Sequence, residues 1–353
     1  MLPAAVAARR AAEEVAWADP ARLHHAGRTA GLVLDSARAS IAGFLGVRPS
    51  EVHLTSSVHA ALEFGLTGLL AARPEGSVAV SAVESLTLLE AIDRSGRVAD
   101  VLPVDSFGRV RREAIPANPR WAVACLQAAN PEVGTCQPVE ELASALEPAG
   151  IPLLVDATAC AARIPLPRGW SALALAARDW GGPAGVGVLV IRQGTRWFSP
   201  PGSERGWLGG FPDVASAASA AIAAETIEPL WEAEARRAHA LIAHLRAGLA
   251  AIDDLDIVGD PDNRLPQILT FSALYCSGEA IVTELDRRGF AVASGSACVS
   301  DTERPSHVLA AMGALTGGNV RVSLPFGCAV ETIDAFLQEL PDVIASVRSD
   351  AGL

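Results

Sequence analysis

The chain has 353 residues and a net charge of −12, and all 28 of its basic residues are arginine, so it contains no lysine. Such an acidic balance argues against a nucleic-acid partner, which needs clustered positive charge, and no apolar run reaches the ~20 residues of a membrane span. Six cysteines, at 125, 136, 160, 276, 298 and 328, show neither CxxC nor Cys/His spacing. Neither a disulfide framework nor a metal site is expected from them, and a reducing cytoplasm is the expected compartment.

The first stretch, with Arg9, Arg10, Glu13 and Glu14, lacks the apolar core of a secretory signal. From about residue 28 to 200, short apolar runs alternate with helical patterns. Strands are expected at 51–55, 77–81, 100–104, 121–127, 151–155, 172–176 and 186–191, with helices near 29–45, 57–72, 84–94 and 137–147. Alternation of this kind predicts an α/β layer structure with a mainly parallel sheet. A long helical stretch is expected from 213 to 251, its Glu and Arg residues on a solvated face. After a turn at 259–263, the order is strand (267–272), helix (278–288), a short strand, a loop, helix (306–312), strand (319–324) and helix (330–348). The expected domains are therefore a large α/β domain over 20–212, a connecting helix over 213–251, and a small α+β domain over 252–353 joined by the N-terminal helix 1–19.

Four segments carry a resemblance. Ala129-Asn130-Pro131-Glu132-Val133-Gly134 resembles the asparagine-glutamate-x-glycine turn of class V aminotransferases, and Leu154-Val155-Asp156 the strand ending in their pyridinium-binding aspartate. Gly182-Pro183-Ala184-Gly185-Val186-Gly187 is similar to the glycine-rich segment that follows their lysine. Ala293-Ser294-Gly295-Ser296-Ala297-Cys298, with Arg304-Pro305-Ser306-His307 and Asn319-Val320-Arg321, looks like the cysteine desulfurases in particular. The resemblance implies a fold-type I PLP enzyme architecture, a sulfur-accepting role for Cys298 and a carboxylate-binding role for Arg321.

The departures are as specific. The lysine that would form the imine with PLP falls on Asp179, within Ala176-Ala177-Arg178-Asp179. Genomic drift from Lys to Arg accounts for missing surface lysines but does not yield an aspartate, and neither Arg nor Asp forms an imine. By the same resemblance the phosphate-binding threonine falls on His59, the ring-stacking histidine on Ser85, the glutamine after the pyridinium aspartate on Ala159, and a phosphate-binding threonine from the partner subunit on Phe211. PLP is held by an imine, a stacked ring, a charge pair and a phosphate cradle. Asp156 alone of these remains, so no cofactor is expected, and PLP stands as implied by the resemblance only.

Each remaining residue has two readings. Cys298 is a nucleophile or sulfur acceptor in a loop of small residues, or an inert thiol, depending on its exposure and on nearby positive charge. Arg321 binds a carboxylate, or pairs with Asp179 or Asp156, since buried charges need partners. Asp156 is a relic of the cofactor site or a turn cap. His59 is an anion-site residue at a helix start or a plain hydrogen-bonding residue. A metal site from Cys298, Asp179 and His59 has no support in their spacing. Cys125, Cys136 and Cys160 are expected as buried small hydrophobes. The expected function is a non-catalytic sulfur relay or scaffold, as a homodimer or a heterodimer with an active desulfurase, delivering to a sulfur-acceptor protein. The alternative is an enzyme that acts without a Schiff-base lysine: a desulfurase holding PLP without that link, or a new reaction with Asp179 as acid or base.

Overall fold

The computed structural model describes residues 1–295 and 305–350. Short β-branched and Leu/Ala runs form seven strands: β1 (Val52–Thr55), β2 (Ser77–Ser81), β3 (Ala99–Leu102), β4 (Trp121–Gln127), β5 (Leu153–Asp156), β6 (Ala172–Ala176) and β7 (Gly187–Ile191). They pair in the order β1-β7-β6-β5-β4-β2-β3. Pairing is parallel from β6 through to β3, while β7 runs antiparallel to both neighbours. Every residue of β4, β5, β6 and β7 is buried, as in a sheet covered on both faces.

Helices α1 (Pro3–Val15), α2 (His25–Leu45), α3 (Val58–Ala71), α4 (Leu86–Arg94) and α5 (Val139–Leu146) belong with this sheet. The Ser57 hydroxyl caps α3 by accepting from the Ala60 N–H at 3.1 Å. From there Leu62, Leu66 and Leu69 enter the same core as Leu154 and Leu189. Glycine lets α3 lie close: a Cβ on Gly65 would stand 3.1 Å from Leu154 and Leu189, and one on Gly68 only 2.0 Å from the Trp197 indole nitrogen.

By its contacts the chain forms two units: Met1–Leu102 with Arg112–Ala128 and Pro138–Trp231, and Pro103–Arg111 with Ala129–Gln137 and Glu232–Leu353. This corrects the expected boundaries in three respects. The single helix expected over 213–251 is two, α6 (Val214–Ile227) and α7 (Trp231–Leu249), because Pro229 between them supplies no N–H donor. The N-terminal helix belongs to the large unit, not to residues 252–353. Small residues along α6 let α1 approach it; the Ser219 hydroxyl donates to the Ala5 carbonyl at 2.7 Å, and the Leu2 N–H to the Gly181 carbonyl at 2.8 Å. Third, two loops from the first half of the chain join the small unit. The Gln137 side chain donates to the Gly108 carbonyl at 2.6 Å and accepts from Val110 at 3.0 Å, tying those two loops together.

The small unit is a three-stranded antiparallel sheet of β8 (Leu255–Val258), β9 (Ile268–Ala273) and β10 (Asn319–Ser323), in the order β10-β9-β8. Its helices are α8 (Gly278–Arg287), α9 (His307–Met312) and α10 (Val330–Asp350). Phe271, Leu285, Val320, Phe336 and Leu340 form its core with Leu245 and Leu249 of α7. Among the described residues, the short strand expected between α8 and α9 is represented by a bridge pairing Ala293 with Arg321.

Candidate functional site

Three carboxyl groups of the large unit stand at the carboxyl ends of its parallel strands, where open α/β sheets place their ligands. Glu84 follows β2, Asp156 ends β5, and Asp179 lies in the short 3-10 turn Ala177–Trp180 after β6. Glu84 is fully buried; it accepts from the Gln127 N–H at 2.8 Å and from its neighbour Ser85 at 3.3 Å. Burial and then the charge of Asp156 push its carboxyl up to about 8. Asp156 is buried too, with Oδ1 accepting from the Thr158 N–H at 3.0 Å and hydroxyl at 2.7 Å. Its carboxyl is raised by burial, opposed by those Thr158 hydrogen bonds and by the charges of His59 and Arg178. The turn-cap reading of Asp156 therefore holds as geometry.

Asp179 is held by its backbone. Ala177 donates to Val186 at 2.9 Å, Gly182 donates back to Ala177 at 2.9 Å, and Gly181 closes the turn at φ 86°. The Asp179 Oδ2 atom is buried with no hydrogen-bond partner, and the Arg178 guanidinium lies 3.7 Å from Oδ1. Burial pushes this carboxyl up to about 7, with Arg178 and Arg163 drawing it down and Asp156 adding to the rise. Two like charges in one dry region resist joint ionisation, so protons here are bound by the group and not by one residue.

The other predicted residues fall as follows. His59 is exposed in the first turn of α3 and acts on Asp156 only through its charge. Ser85 caps α4, accepting from Leu88 at 3.4 Å. Phe211 is exposed. Cys125 and Cys160 are buried as expected, whereas Cys136 is half-buried; Cys125 lies near Glu84, and burial drives its thiol well above the ordinary range. Cys298 and Arg304 lie outside the described residues. A cleft of about 740 Å³ opens at the amino-terminal ends of β5 and β6, lined by Arg73, Arg168, Arg192 and Trp170 among others, and holds none of the predicted residues.

In the small unit, Arg321 on β10 is half-buried. Its Nη1 donates to the Pro131 carbonyl at 3.3 Å, its Nε is buried without a partner, and its charge acts on Glu132. Asn319, two residues earlier, is buried; its side-chain oxygen accepts from the Gly295 N–H at 2.6 Å and the Ser294 hydroxyl at 3.1 Å.

In the sequence Glu132 figures only as the glutamate of its asparagine-glutamate-x-glycine turn, and Glu84 is not singled out. Glu84 stands at the end of an apolar run, Val78 to Val83, with only Ser81 polar in it. An acid ending such a run is the one available signal of burial. Among the described residues, no group of three His, Cys, Asp or Glu side chains is placed to hold a metal ion. No described helix is long and apolar enough to cross a membrane.

A mainly parallel sheet with acids at its carboxyl edge, and a small antiparallel unit built on α7, is the architecture of the fold-type I PLP enzymes. Residues 3–336 match the family described as aminotransferase class-V, and the chain belongs to it. It is 34% identical to the cysteine desulfurase NifS of Azotobacter vinelandii, over 94% of this chain and 87% of that one. It is 33% identical to the IscS-like cysteine desulfurase of Mycobacterium tuberculosis (strain ATCC 25618 / H37Rv), over 99% and 95%. A solved structure described as a NifS-like protein superposes with a TM-score of 0.88 at 25% identity, covering 98% of this chain and 96% of that one. The chain is thus a cysteine desulfurase-like member of a PLP-dependent family.

Proposed function

We propose that this chain is a non-catalytic sulfur-relay or scaffold partner, which accepts sulfur on Cys298 from an active desulfurase and does not release it from cysteine itself. One observation carries the reading: where the family resemblance puts an amine, the chain puts Asp179, with an unpaired buried oxygen and the charge of Asp156 acting on it. The residues at this edge do not fit covalently held PLP. An imine needs a neutral amine, and the chain has no lysine anywhere. An aldehyde is also poorly served by a carboxyl at the position of the missing amine, even with the Arg178 guanidinium 3.7 Å away. Ser85 and Ser57 spend their hydroxyls on capping α4 and α3. No chemical step is therefore routed through the cofactor.

A second reading draws on the same residue. A carboxyl at about 7 is near the working pH of a general acid or base, which favours an enzyme of another kind with Asp179 as its proton carrier. The desulfurase form of the enzyme reading is tested on purified protein incubated with PLP and cysteine. The relay reading predicts no visible-edge absorbance band of bound PLP and no sulfide or alanine. Asp179→Lys alone is expected to change neither, because the ring stack and phosphate cradle stay absent. Sulfide formation at enzymatic rates, by either protein, contradicts the proposal.

A further inference from the structure

The edge of the seven-stranded sheet opposite the three acids collects positive charge, in a chain whose net charge is −12. The cleft of about 740 Å³ at the amino-terminal ends of β5 and β6 is lined by Arg73, Arg168, Arg192 and Arg196. A second cleft, of about 770 Å³, adds Arg48 and adjoins the first along Arg168, Trp170 and Arg192, which line both.

Two of these arginines stand on fixed backbone. After β7 the chain turns at once: the Thr195 N–H donates to the Arg192 carbonyl at 3.0 Å, and Gly194 takes φ 90°. The Arg192 N–H and the Thr195 hydroxyl both donate to the Ser171 carbonyl, at 3.0 and 3.2 Å. Arg168 precedes Gly169, whose φ is 86° and where an added Cβ would stand 2.5 Å from the Ala143 Cβ. Both facts demand glycine there. Such mounts leave only side-chain freedom to be lost when a ligand binds.

Two of the three acids in the clefts are already engaged. Glu51 accepts from the Arg48 and Gln193 N–H groups at 2.9 and 2.7 Å, and Glu140 from the Arg168 N–H at 3.1 Å. With Glu147 they face five arginines. Elsewhere Arg9, Arg94, Arg236 and Arg287 each pair with a glutamate on their own helix. Among the described residues, none of the five cleft arginines is ion-paired. Arg73 donates instead to the Gly150 carbonyl, and the Arg192 guanidinium lies over the Trp170 ring at 4.3 Å. Trp170 is 6% exposed, and among the described residues its indole N–H has no hydrogen-bond partner. That donor is left for whatever fills the clefts.

We propose that the joined clefts bind a small phosphate-bearing anion of two or more charges, held by Arg168 and Arg192 on their shared wall. A guanidinium meets phosphate oxygens through two parallel N–H donors, and each cleft has the volume of a small-molecule site. Five guanidinium groups against three acids exceed what one carboxylate neutralises, which favours a multiply charged phosphate. The site lies at the opposite edge of the sheet from Asp179, so it rests on neither the relay nor the enzyme reading.

The test is calorimetric titration of the full-length protein with inorganic pyrophosphate at fixed ionic strength, which removes general screening as a cause. Saturable binding of about one pyrophosphate per chain is expected, with a Kd below about 1 mM. Arg168→Gln, Arg192→Gln and Arg196→Gln should each weaken it about tenfold, the effect of losing one charge-assisted hydrogen bond. Arg236→Gln removes the same charge from a paired arginine on α7 and should change the Kd less than about twofold. If Arg192→Gln fails to fold, because Arg192 covers Trp170, the Arg168 and Arg196 variants still decide. No saturable binding up to about 10 mM, or an equal loss in Arg236→Gln, overturns the proposal. So does tighter binding of hexaglutamate than of pyrophosphate at these arginines, which would make the clefts a docking groove for an acidic protein segment.

Discussion

At the residue scale the deciding feature is a set of acids that hold protons more tightly in the folded chain than in the unfolded one. Glu84 rises from the ordinary 4.5 to about 8, and Asp179 from 3.8 to about 7. A raised folded value means the folded chain binds the extra proton. The associated stability is fully present below the unfolded values and is lost as pH climbs through the folded ones. Thermal unfolding midpoints should therefore fall between about pH 5 and about pH 8, as each such acid loses up to about 1.4 kcal/mol of stability per pH unit. Glu84→Gln should flatten much of that slope, because the amide cannot ionise. A midpoint that rises across this window would contradict the buried-acid description. Of these residues, Asp156 and Asp179 were legible because the flanking motifs fix their register. Glu84 was not, since burial and proximity to Asp156 are properties of three dimensions. Arg321 was legible as a charged residue on β10 but not in its contacts, because its pairing depends on the Pro131–Glu132 turn.

At the element scale, sequence periodicity located the central strands to within two residues at their ends because β4 to β7 are continuous apolar runs. It missed β8, whose four residues are mostly partly exposed and carry no clean alternation. It merged α6 and α7 because both are Ala-rich, and the break rests on Pro229 alone. The place of α1 depends on a small-residue surface on α6, which composition does not aim at any partner. Packing of α3 offers a direct check. Gly68→Ala puts a methyl 2.0 Å from the Trp197 nitrogen and 2.5 Å from the Phe198 carbonyl. Although alanine favours helix, the overpacking should cost about 1–3 kcal/mol in denaturant unfolding. A neutral or stabilising result would show that the indole can move aside.

At the scale of the whole molecule, the large unit leaves Trp17, Leu23, Leu32 and Phe211 exposed in the single chain. Large apolar side chains facing water are the usual material of an interface, and two-fold dimers are the commonest closed assembly. Light scattering at micromolar concentration should give the mass of a dimer, either of this chain alone or with an active desulfurase; a monomer in both cases would contradict the expectation. Function itself was legible only as far as the family and the missing lysine. Which protein would accept sulfur under the proposed relay is a matter of surfaces that no motif encodes.

The relay is tested most directly by mixing the purified protein with an active desulfurase and cysteine, then mapping persulfide by peptide mass. The account predicts added sulfur on Cys298, little on the buried Cys125 and Cys160, and none after Cys298→Ser, with the fold unchanged. Transfer needs only an accessible thiolate and contact. Persulfide absent from Cys298 while the donor enzyme turns over, or persulfide formed there with cysteine alone and no donor, would contradict it.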